Sequence, residues 1–261
     1  MFGAIAGDII GSPYEFENTK DFDFPLFNEY STYTDDTVLT VATAEHLLCG
    51  VSYVEAYQSY GRNYASVGFG AAFKEWLELD TPEPYNSWGN GSAMRVSPIG
   101  FAANSILEAA RWAEESAEVT HNHPEGIKGA QATAVAIYLA YKAGASKGDI
   151  KSYIEKEFGY DLNQSLKSIQ PTYSSHFYVS CQRSVPVAIR AFLESNDFVD
   201  AIRRSVWVGG DSDTIAAICG GIAEAYYKGI PEEIETEIRN RWPDELTGII
   251  DNFRARFMDV V

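Results

Sequence analysis

Two short acidic stretches in this sequence combine aspartate with threonine immediately before an apolar helical pattern. The first is Thr34-Asp35-Asp36-Thr37, and the second is Gly209-Gly210-Asp211-Ser212-Asp213-Thr214. After each stretch, apolar residues recur with the three- and four-residue spacing of a helix. The carboxylates therefore lie at predicted helix N-termini, where backbone N–H groups and the helix dipole favour negative charge.

Four aspartates and two threonines brought together would form a cage of hard oxygen donors. Oxygen ligands without histidine or cysteine suit Mg²⁺ or Mn²⁺ better than Zn²⁺. A simpler interpretation is that each group only caps its helix, because Asp and Thr are preferred at the N-cap. Either interpretation explains one stretch alone, but two such stretches in one chain favour the metal site.

Further polar residues are candidates for ligand contacts. The stretch Asn86-Ser87-Trp88-Gly89-Asn90-Gly91 is turn-forming, and its glycines allow the backbone to approach a ligand closely. Thr120-His121-Asn122-His123-Pro124 has two histidines, but no third nitrogen or sulfur ligand accompanies them, so hydrogen bonding is favoured over metal binding. Asp8 interrupts an apolar helical pattern, where it either orients site groups or, as we favour, satisfies buried backbone.

Five motifs together resemble the ADP-ribosylglycohydrolase family, the proteins related to dinitrogenase reductase-activating glycohydrolase. Each motif is weak alone, but their order and spacing along nearly the whole chain are specific. The motifs are Gly3-Ala4-Ile5-Ala6-Gly7-Asp8 with Gly11 and Glu15, Thr34-Asp35-Asp36-Thr37, Gly89-Asn90-Gly91-Ser92-Ala93-Met94-Arg95, Thr120-His121-Asn122-His123-Pro124, and Gly209-Gly210-Asp211-Ser212-Asp213-Thr214.

The resemblance implies a metal-dependent hydrolase that cleaves the bond between the anomeric carbon of ADP-ribose and an attached group. It implies two Mg²⁺ ions, or Mn²⁺, as cofactors. The implied metal ligands are Thr34, Asp35, Asp36, Asp211, Asp213 and Thr214. The implied catalytic residues are Glu15, Asp36 and Asp211, with Glu15 either gating the site or assisting the leaving group.

The resemblance also implies a substrate-binding loop that cradles a diphosphate with backbone N–H groups. The implied substrate-binding residues are Asn86, Ser87, Trp88, Gly89, Asn90, Gly91 and His121. Some relatives carry tyrosine where this chain has Trp88, so the contact at this position differs among them. Arg95 is expected to have a structural role in the same loop.

The expected partner is an ADP-ribosylated protein or a small ADP-ribose conjugate. The released group stays open between arginine, serine, an O-acetyl ester and a nucleobase, and specificity is expected in residues 17–30 and 161–178. The alternative function is a non-catalytic ADP-ribose-binding or crystallin-like structural protein. A helical prenyl-chain synthase is set aside, because Asp35-Asp36 is followed by Thr37-Val38-Leu39 and not by a third acid at the needed spacing.

The overall composition restricts the possible partners. The 261 residues include 37 acidic and 20 basic ones, a formal net charge of −17. Such a charge argues against nucleic acid and anionic membranes as partners, since both require an excess of Lys and Arg. No apolar run reaches about 18 residues and no basic leader is seen, so we expect a cytoplasmic protein. We expect free thiols, with Cys49 and Cys219 buried.

The predicted fold is all-α. About ten helical segments are visible, without strand–helix alternation or a linker, so we expect one domain over residues 1–261 with its site among helix N-termini and loops. The resemblance implies the same compact orthogonal helical domain. Residues 161–180 are predicted to be irregular, and Pro186 is predicted in the first turn of a helix that begins at Ser184.

Overall fold

A computed structural model describes residues 1–258, and it confirms the predicted all-α fold. Within this range there are fifteen α-helices and no strand, and one isolated antiparallel bridge joins Gly89 to Ser180. None of these helices combines the length and apolar character needed to cross a bilayer. The helices are α1 (Phe2–Gly11), α2 (Asp35–Cys49), α3 (Tyr53–Asn63), α4 (Ala71–Leu77), α5 (Gly91–Met94), α6 (Ser97–Ala102), α7 (Ile106–Glu118), α8 (Pro124–Tyr141), α9 (Lys147–Phe158), α10 (Leu166–Tyr173), α11 (Cys181–Glu194), α12 (Phe198–Trp207), α13 (Ser212–Tyr227), α14 (Glu232–Arg239) and α15 (Asp244–Phe257).

Helix α13 lies at the centre of the fold. All of its residues from Ser212 to Ala225 are buried, and helices α1, α8, α11 and α12 pack around it. A helix that is apolar on all sides can be stable only when it is surrounded in this way. The acidic N-terminus of α13 is therefore held on a rigid base.

Helices α1 and α13 are in direct backbone contact. A Cβ atom added at Gly3 would lie 2.2 Å from the Gly220 carbonyl oxygen, and one added at Gly220 would lie 2.0 Å from the Gly3 oxygen. One turn further along, a Cβ at Gly7 would lie 2.1 Å from the Ala216 oxygen. No side chain fits between the two helices, so glycine is required on both sides of the crossing.

Helix α2 begins and ends as its sequence predicts. Thr34 is its N-cap residue, and Gly50 follows its end with a φ of +75°, a conformation that glycine adopts without strain. The next helix, α3, begins with reciprocal capping between Ser52 and Glu55. These helix ends are determined by hydrogen bonds between residues close in sequence, so the local sequence is sufficient to specify them.

The segment 161–180 is predicted to be irregular, and this is wrong for Leu166–Tyr173 and confirmed for the other residues of the segment. It contains α10, whose N-cap Ser165 accepts a hydrogen bond from the Ser168 N–H. The next helix also begins earlier than predicted, at Cys181, so Pro186 lies inside it and not in its first turn. Because proline has no N–H group, α11 lacks one of its helical hydrogen bonds at this point.

The three cysteines differ in burial. Cys219 is buried in α13 as predicted, and Cys181 is also buried. Cys49 is exposed, so the prediction of a buried thiol there is wrong. Cys49 is the last residue of α2, where the helix turns away from the core towards the exposed Gly50.

We predict that Gly220→Ala lowers the free energy of unfolding by about 1–3 kcal/mol, because the added methyl group overlaps the backbone of α1. Gly248→Ala is the matched control, since Gly248 is exposed in α15 with open space around it. This control gains about 0.5–1 kcal/mol from helix propensity. Urea unfolding of both variants checks the prediction, and equal stability of the two would contradict the close helix contact.

Candidate active site

A cavity of about 420 Å³ lies where the N-termini of α2 and α13 meet the loop before α5. This size is typical of small-molecule sites. Its apolar lining includes Leu39, Phe73 and Met94. Thr214 and the basic Arg95 also line it, together with the acidic residues Glu15, Asp35, Asp36, Asp211 and Asp213.

Asp8 joins α1 to the start of α2. Its fully buried carboxylate accepts hydrogen bonds from the backbone N–H groups of Thr34 and Thr37, at 2.9 and 3.0 Å. The hydroxyl groups of both threonines also donate to it. Asp8 therefore satisfies buried backbone, as we favoured, and also orients the acidic turn. Thr34 itself does not line the cavity.

The carboxylates form two overlapping groups. Carboxylate oxygens of Asp8, Asp36 and Asp213 lie within 4.8 Å of one another, and so do those of Glu15, Asp211 and Asp213. Asp213 belongs to both groups. Such an arrangement fits two cations that share one bridging carboxylate.

The acidic residues of α13 do more than cap the helix. The Asp211 side chain accepts no capping hydrogen bond, and instead accepts one from the Asn90 Nδ2 at 2.7 Å. Thr214 donates its hydroxyl to one oxygen of Asp36 at 3.2 Å, while the other oxygen, Oδ1, is buried without a hydrogen-bond partner in the described chain. A buried carboxylate oxygen without a donor is costly, and a cation with oxygen ligands would satisfy it.

Electrostatic repulsion is concentrated in this cluster. Burial is the main factor that raises the pKa of Asp36 well above its usual range, and the charge of Asp8 adds to it. Burial and then Asp211 raise the pKa of Asp213 in the same way. Divalent cations would remove this penalty, because they compete with protons for the same oxygens.

Glu15 and Asp35 lie at the edge of the cluster. Burial, followed by the charge of Asp211, raises the pKa of Glu15 to about 8. Burial and then Asp8 raise the pKa of Asp35 to about 7. In the absence of a cation, this raised pKa favours the protonated form of Glu15 near neutral pH.

The loop before α5 reaches the cavity only in part. Ser87, Gly89, Asn90 and Gly91 line it, whereas Asn86 and Trp88 do not. The indole ring of Trp88 is about half exposed and packs against His123, with 5.4 Å between ring centroids.

Several backbone N–H groups of this loop already have protein partners. The Asn86 N–H donates to the Asn122 side chain, the Gly89 N–H to the Ser87 hydroxyl and the Asn90 N–H to the Val179 carbonyl. The diphosphate-binding role of the loop therefore stays a prediction that depends on its other N–H groups and side chains.

His121 and His123 lie in different environments. His121 is buried at the cavity wall, while the side chain of His123 accepts a hydrogen bond from the Glu125 N–H and caps α8. A Cβ at Gly91 would lie 3.1 Å from the His121 Nε2, so glycine lets the loop pack on the ring. Burial, and secondarily the Arg95 charge, lower the pKa of His121 well below its usual range.

Sequence reasoning missed Asn18. Its side chain pairs with Gly210 in both directions, donating to the carbonyl at 2.9 Å and accepting from the N–H at 2.8 Å. It also donates to the Tyr14 carbonyl at 2.7 Å. Asn18 therefore fastens the segment of Glu15 to the loop of Asp211, although a single asparagine in a polar loop gives no sequence signal for such a contact.

An aromatic contact spans the mouth of the cavity. The rings of Phe16 and Phe177 lie 5.4 Å apart, and both side chains remain largely exposed. Phe177 belongs to the segment 161–178, where we expected specificity residues. Two connections that are far apart in sequence therefore meet beside Glu15.

These features define a class of protein: an all-α fold in which buried carboxylates and a glycine-rich loop surround one ligand-sized cavity. A family model described as ADP-ribosylglycohydrolase matches residues 1–259. The chain thus belongs to the ADP-ribosylglycohydrolase family and to the class of enzymes that this name describes.

Individual relatives agree with this assignment. ADP-ribosylhydrolase ARH3 of Homo sapiens is 30% identical over an alignment of 304 positions. The alignment covers 87% of this chain and 84% of the relative. ADP-ribosylarginine hydrolase Tri1 of Pseudomonas putida is 25% identical over an alignment of 268 positions. The alignment covers 89% of this chain and 71% of the relative. A solved structure titled ADP-ribosylglycohydrolase-related protein complex has the same fold, with a TM-score of 0.72, 23% identity and coverage of 98% and 97%.

We predict that Asp36→Asn raises the free energy of unfolding in EDTA by roughly 1 kcal/mol, because it removes a carboxyl group that is buried either charged among other carboxylates or protonated above its usual pKa. The same variant should show a smaller Mg²⁺-dependent rise in melting temperature than the wild type, since it has lost a cation ligand. Asp244→Asn, an exposed acid at the start of α15, is the control and should respond to Mg²⁺ as the wild type does. An Asp36→Asn variant less stable than wild type in EDTA would contradict the argument.

Proposed function

We propose that this protein is a divalent-metal-dependent hydrolase that cleaves the bond between the anomeric carbon of ADP-ribose and an attached group. The observation that carries the proposal is the pair of carboxylate groups sharing Asp213 in the cavity of an ADP-ribosylglycohydrolase. The names of the relatives support it, since one is an ADP-ribosylhydrolase and another an ADP-ribosylarginine hydrolase. The partner would be an ADP-ribosylated protein or a small ADP-ribose conjugate.

The proposed cofactors are two Mg²⁺ ions, with Mn²⁺ as a possible replacement. The oxygen-only donor set and the unpaired Asp36 oxygen support this choice. When bound, such ions would supply positive charge beside the sugar hydroxyls and the attacking water. The residues proposed to hold them are Thr34, Asp35, Asp36, Asp211, Asp213 and Thr214.

The remaining groups would bind the substrate and move protons. Departure of a group from the anomeric carbon leaves positive charge on the sugar ring, which nearby carboxylates such as Asp36 and Asp211 stabilise. Glu15 is placed at the edge of the cluster to give its proton to the leaving group. The proposed contacts of the ADP moiety are Asn86, Ser87, Trp88, Gly89, Asn90, Gly91 and His121.

The direct test is ADP-ribose release measured by chromatography. An ADP-ribosyl-arginine peptide, an ADP-ribosyl-serine peptide and O-acetyl-ADP-ribose are offered in parallel, with Mg²⁺ and with EDTA. Release from at least one substrate, lost in EDTA, is the expected result. If no substrate is cleaved while ADP-ribose still raises the melting temperature, hydrolysis of these three linkages is wrong, and the result favours a binding protein or a substrate with another linkage.

We predict that Asp213→Ala lowers kcat by about 100-fold or more on the substrate that the wild type cleaves, since it removes the carboxylate that both acidic groups have in common. Asp244→Ala removes an acid of the same type far from the cavity and should retain wild-type rates. Steady-state rates at limiting Mg²⁺ check both variants. Wild-type turnover of Asp213→Ala would remove this residue from the proposed metal set.

A further inference from the structure

Arg95 is fully buried and belongs to the lining of the cavity. Its guanidinium group stacks over the ring of Tyr57, 4.2 Å from the centroid. Its Nη2 donates to the Ser116 carbonyl at 2.7 Å and to the Thr120 hydroxyl oxygen at 2.9 Å. These contacts hold one N–H of the guanidinium in a fixed direction towards Thr120.

Thr120 connects Arg95 to His121. Its Oγ1 is buried and lies 2.8 Å from the His121 Nδ1. Within residues 1–258, Arg95 and His121 are the hydrogen-bond partners of this hydroxyl. Because arginine has no acceptor atom, the hydroxyl proton of Thr120 can be donated only to His121. The alternative would leave a buried O–H group without an acceptor.

The direction of this hydrogen bond determines the state of the histidine ring. An Nδ1 atom that accepts a hydrogen bond carries no proton, so the neutral ring carries its proton on Nε2. Burial and the nearby Arg95 charge keep the pKa of His121 well below its usual range. Both effects disfavour the doubly protonated ring.

The Nε2 atom lies on the cavity side of the ring. It is the atom closest to the glycine-rich loop, since Cβ atoms added at Gly91 and Gly89 would lie 3.1 and 3.4 Å from it. His121, Gly89 and Gly91 all line the cavity. The N–H group of the ring is thus available to a ligand that enters beside this loop.

We propose that Arg95 and Thr120 are positioning residues that fix His121 as a neutral Nε2–H donor aimed at an anionic oxygen of the ligand. That this oxygen belongs to the diphosphate of ADP-ribose rests on the proposed function, whereas the protonation state of the ring does not. Arg95 would then serve ligand binding through Thr120 and His121.

The first test is NMR spectroscopy of the ligand-free, full-length protein with ¹⁵N-labelled histidine at neutral pH. The expected spectrum shows a protonated Nε2 and an unprotonated Nδ1 for His121, assigned with a His121→Gln variant. A proton on Nδ1, or on both nitrogens, would overturn the proposal. This result is independent of whether the protein hydrolyses ADP-ribose conjugates.

The second test compares two substitutions of Thr120. Thr120→Ser keeps the hydroxyl and should keep the single ring form and the ADP-ribose affinity within about twofold. Thr120→Val removes the donor to Nδ1, so a second ring form should appear and ADP-ribose should bind about five- to tenfold more weakly. Affinity is measured by calorimetry and the ring form by the same NMR experiment.

Thr133→Val is the matched control, since Thr133 is a buried threonine of α8 whose hydroxyl has no hydrogen-bond partner in the described chain. It should leave both the ring form and the affinity unchanged. The proposal is wrong if Thr120→Val keeps both wild-type properties, or if Thr120→Ser loses them. If wild-type protein does not bind ADP-ribose, the proposed function fails, and the spectrum alone decides the protonation state.

Discussion

The buried Asp8 carboxylate determines how the acidic residues are arranged. It takes two backbone and two hydroxyl hydrogen bonds from Thr34 and Thr37, so the first turn of α2 has one position relative to α1. The glycine crossing fixes α1 against α13 with no side chain between them. Together these two contacts set the distance between Asp36 and Asp213, which no direct bond between them maintains.

The cluster that results is unfavourable for folding. Several buried carboxylates repel one another, and one oxygen of Asp36 has no donor among the described residues. The fold tolerates this because the central helix is surrounded by apolar contacts on all sides. Functional sites typically hold charged groups in positions that lower the stability of the protein, and the rigid surrounding fold keeps them there.

Much of the fold and part of the site could be predicted from the sequence. Spacing identified α2 and α13, and the paired Asp/Thr stretches predicted that Asp36 and Asp213 would meet. Contacts between distant segments left no such signal: Asn18 reaches Gly210, and Phe16 reaches Phe177. Side-chain placement was equally hidden, since Trp88 packs against His123 and does not line the cavity, although its neighbours Ser87 and Gly89 do.

The relation between Arg95, Thr120 and His121 shows why motif reading alone is insufficient. The sequence presents Arg95 and His121 in separate motifs, and each has a plausible isolated role. Only the tertiary structure shows that a single hydroxyl group, that of Thr120, connects the two side chains. Hydrogen-bond direction is determined by which groups lack an alternative partner, and that depends on burial, which spacing in a sequence does not reveal.

The glycine crossing has a consequence for the order of folding. Helix α1 is made first, but its partner α13 lies about two hundred residues later, and Ser212 donates its hydroxyl to the Gly11 carbonyl across this separation. Contacts of such high sequence separation form late, because the intervening chain must first be brought together. During synthesis, the apolar surface of α1 therefore lacks its α13 partner until the residues up to Tyr227 have been made, and exposed apolar surface of this kind favours aggregation of an unfinished chain.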